Sequence, residues 1–186
     1  SGHWCWYHEN GIIEVEGEYI EDRREGKFIQ NFESGNLFME TCYKNGLENG
    51  KVKIYYENGN IQAEYKRVDG LTQGEYKRYY ENGNIKTESY YKNGDFDGLA
   101  KEYYENGQIR ILEEYKNGEL DGTVKRYYPD GKLAGIGTFK DGKVDGIQKE
   151  YYENGQIKME VLHKNGKEEG YLRTYYLNGK LEGEEK

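Results

Sequence analysis

Apolar side chains return to the same places every 24 residues along this chain. Tyr56, Tyr80, Tyr104, Tyr128 and Tyr152 form one column, and Ile61, Ile85, Ile109, Leu133 and Ile157 form another. The last column is glycine in every copy: Gly26, Gly50, Gly74, Gly98, Gly122, Gly146 and Gly170. Self-similarity at a fixed period marks a repeat array. The copies are 3–26, 27–50, 51–74, 75–98, 99–122, 123–146 and 147–170, with a partial eighth at 171–186. Positions 1 to 24 below count along one copy, ending on that glycine. Ser1 and Gly2 precede the frame and, without an initiator Met, read as an appended or trimmed start.

Two turn signals punctuate each copy. Asn-Gly or Asp-Gly stands at positions 8 and 9, as in Asn58-Gly59, Asn106-Gly107 and Asp130-Gly131. It recurs at positions 19 and 20, as in Asn45-Gly46, Asp69-Gly70 and Asn165-Gly166. These dipeptides accept the positive φ angles of a type I′ hairpin turn. The segments between them are rich in Tyr, Ile, Val and Thr, which suit a pleated surface. The chain therefore reads as all-β, one array over residues 1–186. It is expected to be an elongated single-layer antiparallel β-meander of tandem 24-residue β-hairpin repeats. Twisting or curling into a trough would shelter its apolar face.

Two-residue turns fix the register. Position 7 is expected opposite 10, 6 opposite 11, 5 opposite 12, 4 opposite 13 and 3 opposite 14. Lys53–Glu64, Lys77–Glu88 and Lys149–Glu160 then face one another across strands, where opposite charges attract. Leu112 and Ile136 replace the glutamate, so those two copies are expected to differ locally. Alternation puts positions 2, 6, 11, 13 and 17 on an apolar face. The Lys and Glu columns share the other face with Tyr55, Tyr79, Tyr103, Tyr127, Tyr151 and Tyr175. The glycine at position 24 reads as a bulge or a tight backbone approach.

Composition narrows the function. Only 34% of the residues are apolar and 21 are Tyr, which cannot fill a thick two-layer core but suits neighbour-on-neighbour burial. The net charge of −8, with both signs interleaved, opposes nucleic acid binding and simple attraction to anionic lipid. No apolar run approaches the roughly 20 residues of a membrane-spanning helix. Cys5 and Cys42 occupy different repeat positions and form no disulfide framework, so they do not indicate a compartment.

The pattern Tyr-Tyr-x-Asn-Gly-x-Ile, then Glu, then Tyr-x-Asn-Gly-x-x-x-Gly resembles the MORN-repeat variant family of bacterial proteins. The resemblance covers essentially the whole chain and is weakest in the first copy. There, Trp4, Trp6 and His8 replace the usual residues, and Glu21-Asp22 stands where the second Asn-Gly belongs. That copy is expected to act as a cap, with its second turn in doubt. The family implies a β-hairpin array used for binding or scaffolding, often as an antitoxin-like component. Its motif contains no catalytic residue.

No catalytic residues and no cofactor are expected, because the same groups recur in register instead of unlike groups converging. His3, Cys5 and His8 form the single metal-like group. Alternation separates His8 from the other two, so a frayed N-terminal cap is expected in place of a metal site. The tyrosine ladder is the serious candidate. The column starting at Tyr56 is expected to pack, and Tyr55, Tyr79, Tyr103, Tyr127, Tyr151 and Tyr175 to contact a partner.

The leading expectation is a non-enzymatic protein-interaction module, with a protein as the partner. The alternative is an exported surface adhesin or carbohydrate-binding array, and lipid binding ranks below both. The upstream sequence discriminates them: a signal peptide favours export and an initiator Met a cytoplasmic partner. A homodimer by strand pairing near 171–186 is the expected mode of any self-association.

Overall fold

A computed structural model describes all residues from Ser1 to Lys186, and every regular element in it is a β-strand. The chain falls into two compact units, Ser1–Asp95 and Phe96–Lys186. In the first unit the strands are β1 Gly2–Tyr7, β2 Ile13–Ile20, β3 Arg23–Asn31, β4 Leu37–Lys44 and β5 Leu47–Glu48. They continue with β6 Gly50–Tyr55, β7 Ile61–Val68, β8 Leu71–Tyr79 and β9 Ile85–Lys92. Each long strand pairs antiparallel with the next long strand, and the short β5 pairs with β4 beside β6. The short β10 is Asp95–Phe96.

The second unit repeats the plan. It holds β11 Gly98–Tyr103, β12 Ile109–Lys116, β13 Glu119–Leu120, β14 Gly122–Tyr127 and β15 Leu133–Lys140. Then come β16 Lys143–Val144, β17 Gly146–Tyr151, β18 Ile157–Lys164, β19 Lys167–Tyr175 and β20 Leu181–Glu185. Pairing is again antiparallel between successive long strands, the short β13 and β16 pairing back onto β12 and β15. β1 pairs with β2 alone and β20 with β19 alone, so the sheet is not closed.

The two turns of a repeat differ in kind. At positions 19 and 20 both residues have positive φ, as in Asn45 (53°) and Gly46 (83°), and Lys44 pairs with Leu47. This is the expected type I′ turn. The first copy makes it too, with Glu21 at 49° and Asp22 at 61°, although neither is Asn or Gly. At positions 8 and 9 only the glycine is left-handed: Gly59 has φ 84°, while Asn58 is not among the positive-φ residues. The Gly59 amide donates to the Tyr56 carbonyl, and the Tyr56 amide donates to that of Asn60. A three-residue loop with a glycine bulge is therefore built where a two-residue type I′ turn was expected.

That correction changes the register beside the loop. Lys53 faces Glu64 and Ile54 faces Ala63, as expected, but Tyr55 faces Ile61 instead of Gln62. Lys77–Glu88 and Lys149–Glu160 also sit opposite each other. Position 11 thus joins the face of position 5, because directly opposed residues share a face. Position 12 takes its expected place beside position 6. Phe32 and Phe38 are 5.0 Å apart, and the Lys86 ammonium lies 5.4 Å from the Tyr80 ring centroid. At Leu112 and Ile136 the register is that of the other copies, Lys101 facing Leu112 and Lys125 facing Ile136.

The position-24 glycine is the expected bulge. Three residues around Gly170, residues 170–172, stand against Val161 alone, between the pairs Glu160–Arg173 and Leu162–Glu169. All seven such glycines have positive φ. In the first unit the apolar face closes over Phe28 and Val52, each 1% exposed, beside buried Thr41 and Ala63. Rings at Trp4, Trp6, Tyr19, Phe28 and Tyr43 follow one another at centroid distances of 4.9 to 6.2 Å. The ring of Phe28 lies over Gly17, where any Cβ would fall 2.5 Å from it.

Candidate functional site

The two tyrosine columns are two sets of ties between successive repeats. Tyr at position 6 reaches forward and its hydroxyl donates to the backbone carbonyl of position 5 in the next copy. The distances are 2.8 Å for Tyr56 to Tyr79, 2.8 Å for Tyr104 to Tyr127, 2.6 Å for Tyr128 to Tyr151 and 2.8 Å for Tyr152 to Tyr175. His8 fills the same slot in the first copy, its Nε2 3.0 Å from the Asn31 carbonyl oxygen.

Tyr at position 5 reaches backward to the position-14 carboxylate of the preceding copy. Tyr55 donates to Glu40 at 2.9 Å, Tyr79 to Glu64 at 2.5 Å and Tyr175 to Glu160 at 2.8 Å. The carboxylates also meet cations: Lys27 lies 2.6 Å from Glu40, and Lys149 lies 3.3 Å from Glu160. A third tie comes from asparagine at position 8. Asn106 Nδ2 donates to the Pro129 carbonyl and Asn154 Nδ2 to that of Leu177, both at 3.0 Å. Asn154 Oδ1 meanwhile accepts the Gln156 amide. This double duty explains why asparagine sits in that loop without needing a positive φ.

The six expected partner-binding tyrosines are half-buried, and they are not equivalent. Tyr127 and Tyr151 follow copies in which position 14 is Leu112 or Ile136. Those two phenols lack the carboxylate that Tyr55, Tyr79 and Tyr175 possess. Replacing Tyr79 with Phe should cost about 1.5 kcal/mol, the low end for a hydrogen bond to a charged group. Tyr127→Phe should change stability by less than about 0.5 kcal/mol. Urea unfolding of both variants measures the difference, and equal losses would show that the carboxylate bond is not what distinguishes them.

The ties shift protonation. Burial and then the Glu40 bond push the Tyr55 phenol from 10 up to about 12; Tyr79 is raised to about 12 by burial and the bond to Glu64. The hydrogen bond from Lys27, and next that from Tyr55, holds Glu40 below its ordinary value; the Tyr175 bond does most to lower Glu160. A phenol with a raised folded pKa contributes stability that is complete below pH 10 and lost as the pH climbs through about 12. A carboxylate with a depressed pKa loses its contribution as the medium turns acid below its ordinary value of 4.5. Tyrosinate absorbance should therefore show a late class near pH 12 in which Tyr79→Phe removes one member. A titration with all phenols ionising together near pH 10 would contradict the burial of Tyr55 and Tyr79.

The opposite face carries ion pairs. Arg110 pairs with Glu102 at 2.6 Å and Arg126 with Glu150 at 2.9 Å, around a groove of about 290 Å³ that Tyr104 and Tyr128 also line. The N-terminal group divides as expected, with His8 apart from His3 and Cys5, but it is ordered where fraying was expected. β1 is paired over its whole length, so the first copy is not frayed. His8 is held at Asn31, while His3 and Cys5 meet Glu16, their potential ligand atoms all within 4.8 Å of one another. Glu16 comes from the neighbouring strand, 11 residues beyond Cys5, so spacing along β1 does not reveal it.

The MORN repeat variant family matches eight tandem segments: 1–21, 24–45, 48–67, 72–93, 96–117, 120–141, 144–165 and 168–186. Most matched segments run from just past one type I′ turn to the next, so the family's own unit is the hairpin around the three-residue loop. The first copy is matched despite its altered residues. A comparison with curated proteins found no match. Repeats of this family form a non-catalytic repeat class and commonly serve as binding modules. With matches along its whole length, the chain belongs to the MORN repeat variant family.

Proposed function

We propose that this protein is a non-enzymatic interaction module that binds a protein partner through the face bearing the position-5 tyrosines. The observation that carries the reading is the break in the tyrosine–glutamate ladder. Tyr127 and Tyr151 stand beside Leu112 and Ile136, where other copies place a carboxylate. Lys125 faces both Leu112 and Ile136 across its neighbouring strands. The result is an aromatic and aliphatic patch with a cation within it, on a face that elsewhere is tied up by charge. Tyrosine offers large rigid contact area and a polar tip at low entropic cost. At Tyr55, Tyr79 and Tyr175 the phenol is instead committed to a carboxylate of the preceding copy.

The antitoxin-like form of this reading, neutralisation of a partner by direct contact, rests on the resemblance to bacterial members of the family. A glycan-binding role has less support: Trp4 and Trp6 both lie in the first copy, and no aromatic cage recurs from copy to copy. Affinity capture from the host with the full chain, compared with Tyr127→Ala/Tyr151→Ala, tests the proposal. Loss of a retained protein, with thermal stability little changed, is the expected result. Undiminished recovery would remove this patch from the claim.

A further inference from the structure

We propose that His3, Cys5 and Glu16 form a binding site for a zinc-class divalent cation, fixing β1 to β2. The three residues come together because His3 and Cys5 are two apart on one strand, and Glu16 is directly opposite Cys5 on the next. His3 Nε2 is 3.5 Å from Glu16 Oε2, and all three ligand atoms lie within 4.8 Å of each other. Ligands at about 2.0–2.3 Å around a tetrahedral ion are separated by about 3.3–3.7 Å. One edge already has that length, and small rotations of half-exposed side chains close the others.

The repeat supplies the second argument, because Glu16 breaks the rule of its own column. Position-14 carboxylates elsewhere have a cation opposite on at least one neighbouring strand: Glu40 faces Lys53, Glu64 faces Lys53 and Lys77, and Glu160 faces Lys149 and Arg173. Glu16 faces Cys5 on one side and Ile29 on the other. The tyrosine tie is missing too. Position 5 of the next copy is Asn31, whose Nδ2 is given to the Ile13 carbonyl at 3.0 Å. The first copy has thus lost the directly facing lysine or arginine and the phenol that meet this carboxylate elsewhere. It has a thiol opposite the carboxylate and, where the next copy has Lys27, an imidazole 3.5 Å away.

The donor set selects the ion. One sulfur, one nitrogen and one oxygen suit zinc or a close relative, whereas calcium and magnesium need several oxygens. Three protein ligands leave a fourth position for water. On binding, Cys5 releases its thiol proton to solvent, Glu16 coordinates as the carboxylate, and His3 coordinates as the neutral imidazole.

The test uses the full chain, reduced, with Cys42→Ser to remove the other thiol, and Co²⁺ as a spectroscopic probe that zinc displaces. One equivalent of Co²⁺ should produce a thiolate charge-transfer band and tetrahedral visible bands, both erased by Zn²⁺. Cys5→Ser should abolish the charge-transfer band. His3→Ala and Glu16→Gln should each weaken binding by at least about tenfold, since even outer partners of metal ligands have effects of that size. Thermal melts without metal establish that each variant is folded. Zinc should then raise the melting temperature of the chain carrying all three ligands but not of Cys5→Ser. Absence of the band, or affinity unchanged when His3 and Glu16 are replaced, would overturn the site.

Discussion

Phe28→Ala should destabilise the first unit by about 3–5 kcal/mol, the usual loss when a fully buried aromatic side chain is truncated. Phe28 is 1% exposed in a sheet only one strand-layer thick, so its burial comes from particular neighbours. Tyr19 and Tyr43 meet it edge-on at 5.7 and 4.9 Å. The Arg24 guanidinium lies 5.3 Å from its ring centroid and donates to the Tyr19 hydroxyl at 3.1 Å and the Tyr43 hydroxyl at 2.8 Å. Those two bonds hold the cation in place over the rings. Gly17 provides the floor, and no side chain there can expand into the cavity left by truncation. Coupling in repeat arrays runs mainly between neighbours. Hydrogen exchange should therefore accelerate first in β2, β3 and β4, with residues 96–186 retaining their protection. Uniform loss of protection along the chain would refute the near-neighbour account.

What could be read in the sequence was what a single repeat determines. The type I′ turn follows from Asn45-Gly46 alone. The Lys53–Glu64 pair stands in the other hairpin, where the register shift between Ile54 and Tyr55 offsets the extra loop residue and returns the expected pairing. The first loop was misread because Asn-Gly serves two loop geometries. Asn58 could enter the left-handed region but instead accepts the Asn60 amide through Oδ1, while its Nδ2 reaches the next copy's Glu81 carbonyl. That second contact is 23 residues away and has no signature within one repeat. The roles of the tyrosines were hidden for the same reason. Tyr79 binds Glu64 across 15 residues, so its commitment appears only when adjacent copies are laid side by side. At Glu21-Asp22 the flanking strands imposed a turn that these residues do not favour, since Ile20 still pairs with Arg23. The Cys5–Glu16 neighbourhood arises from pairing between two strands, to which alternation along β1 alone gives no clue.

Gly122→Ala should cost about 4 kcal/mol, well beyond the same change at Gly170, because two penalties coincide there. The first is shared by both positions. Gly122 has φ +135° and Gly170 has φ +89°, conformations that L side chains rarely adopt, and strain of this kind costs about 1–3 kcal/mol. The second belongs to Gly122. A Cβ there would lie 2.7 Å from the Glu114 Cβ and still closer to its carboxylate, whereas nothing comes within 4 Å at Gly170. Glu114 cannot withdraw freely, since its Oε2 accepts the Thr123 amide at 3.0 Å and its carbonyl accepts that of Asp121 at 2.9 Å. Displacing the carboxylate breaks a charge-assisted bond worth about 1.5–3 kcal/mol. Gly170→Ala should accordingly cost the backbone strain alone, within that range of about 1–3 kcal/mol. Urea unfolding of the two variants isolates the contact as their difference. Losses of equal size would mean that Glu114 yields without cost, leaving left-handed φ as the whole reason for glycine at the end of every repeat.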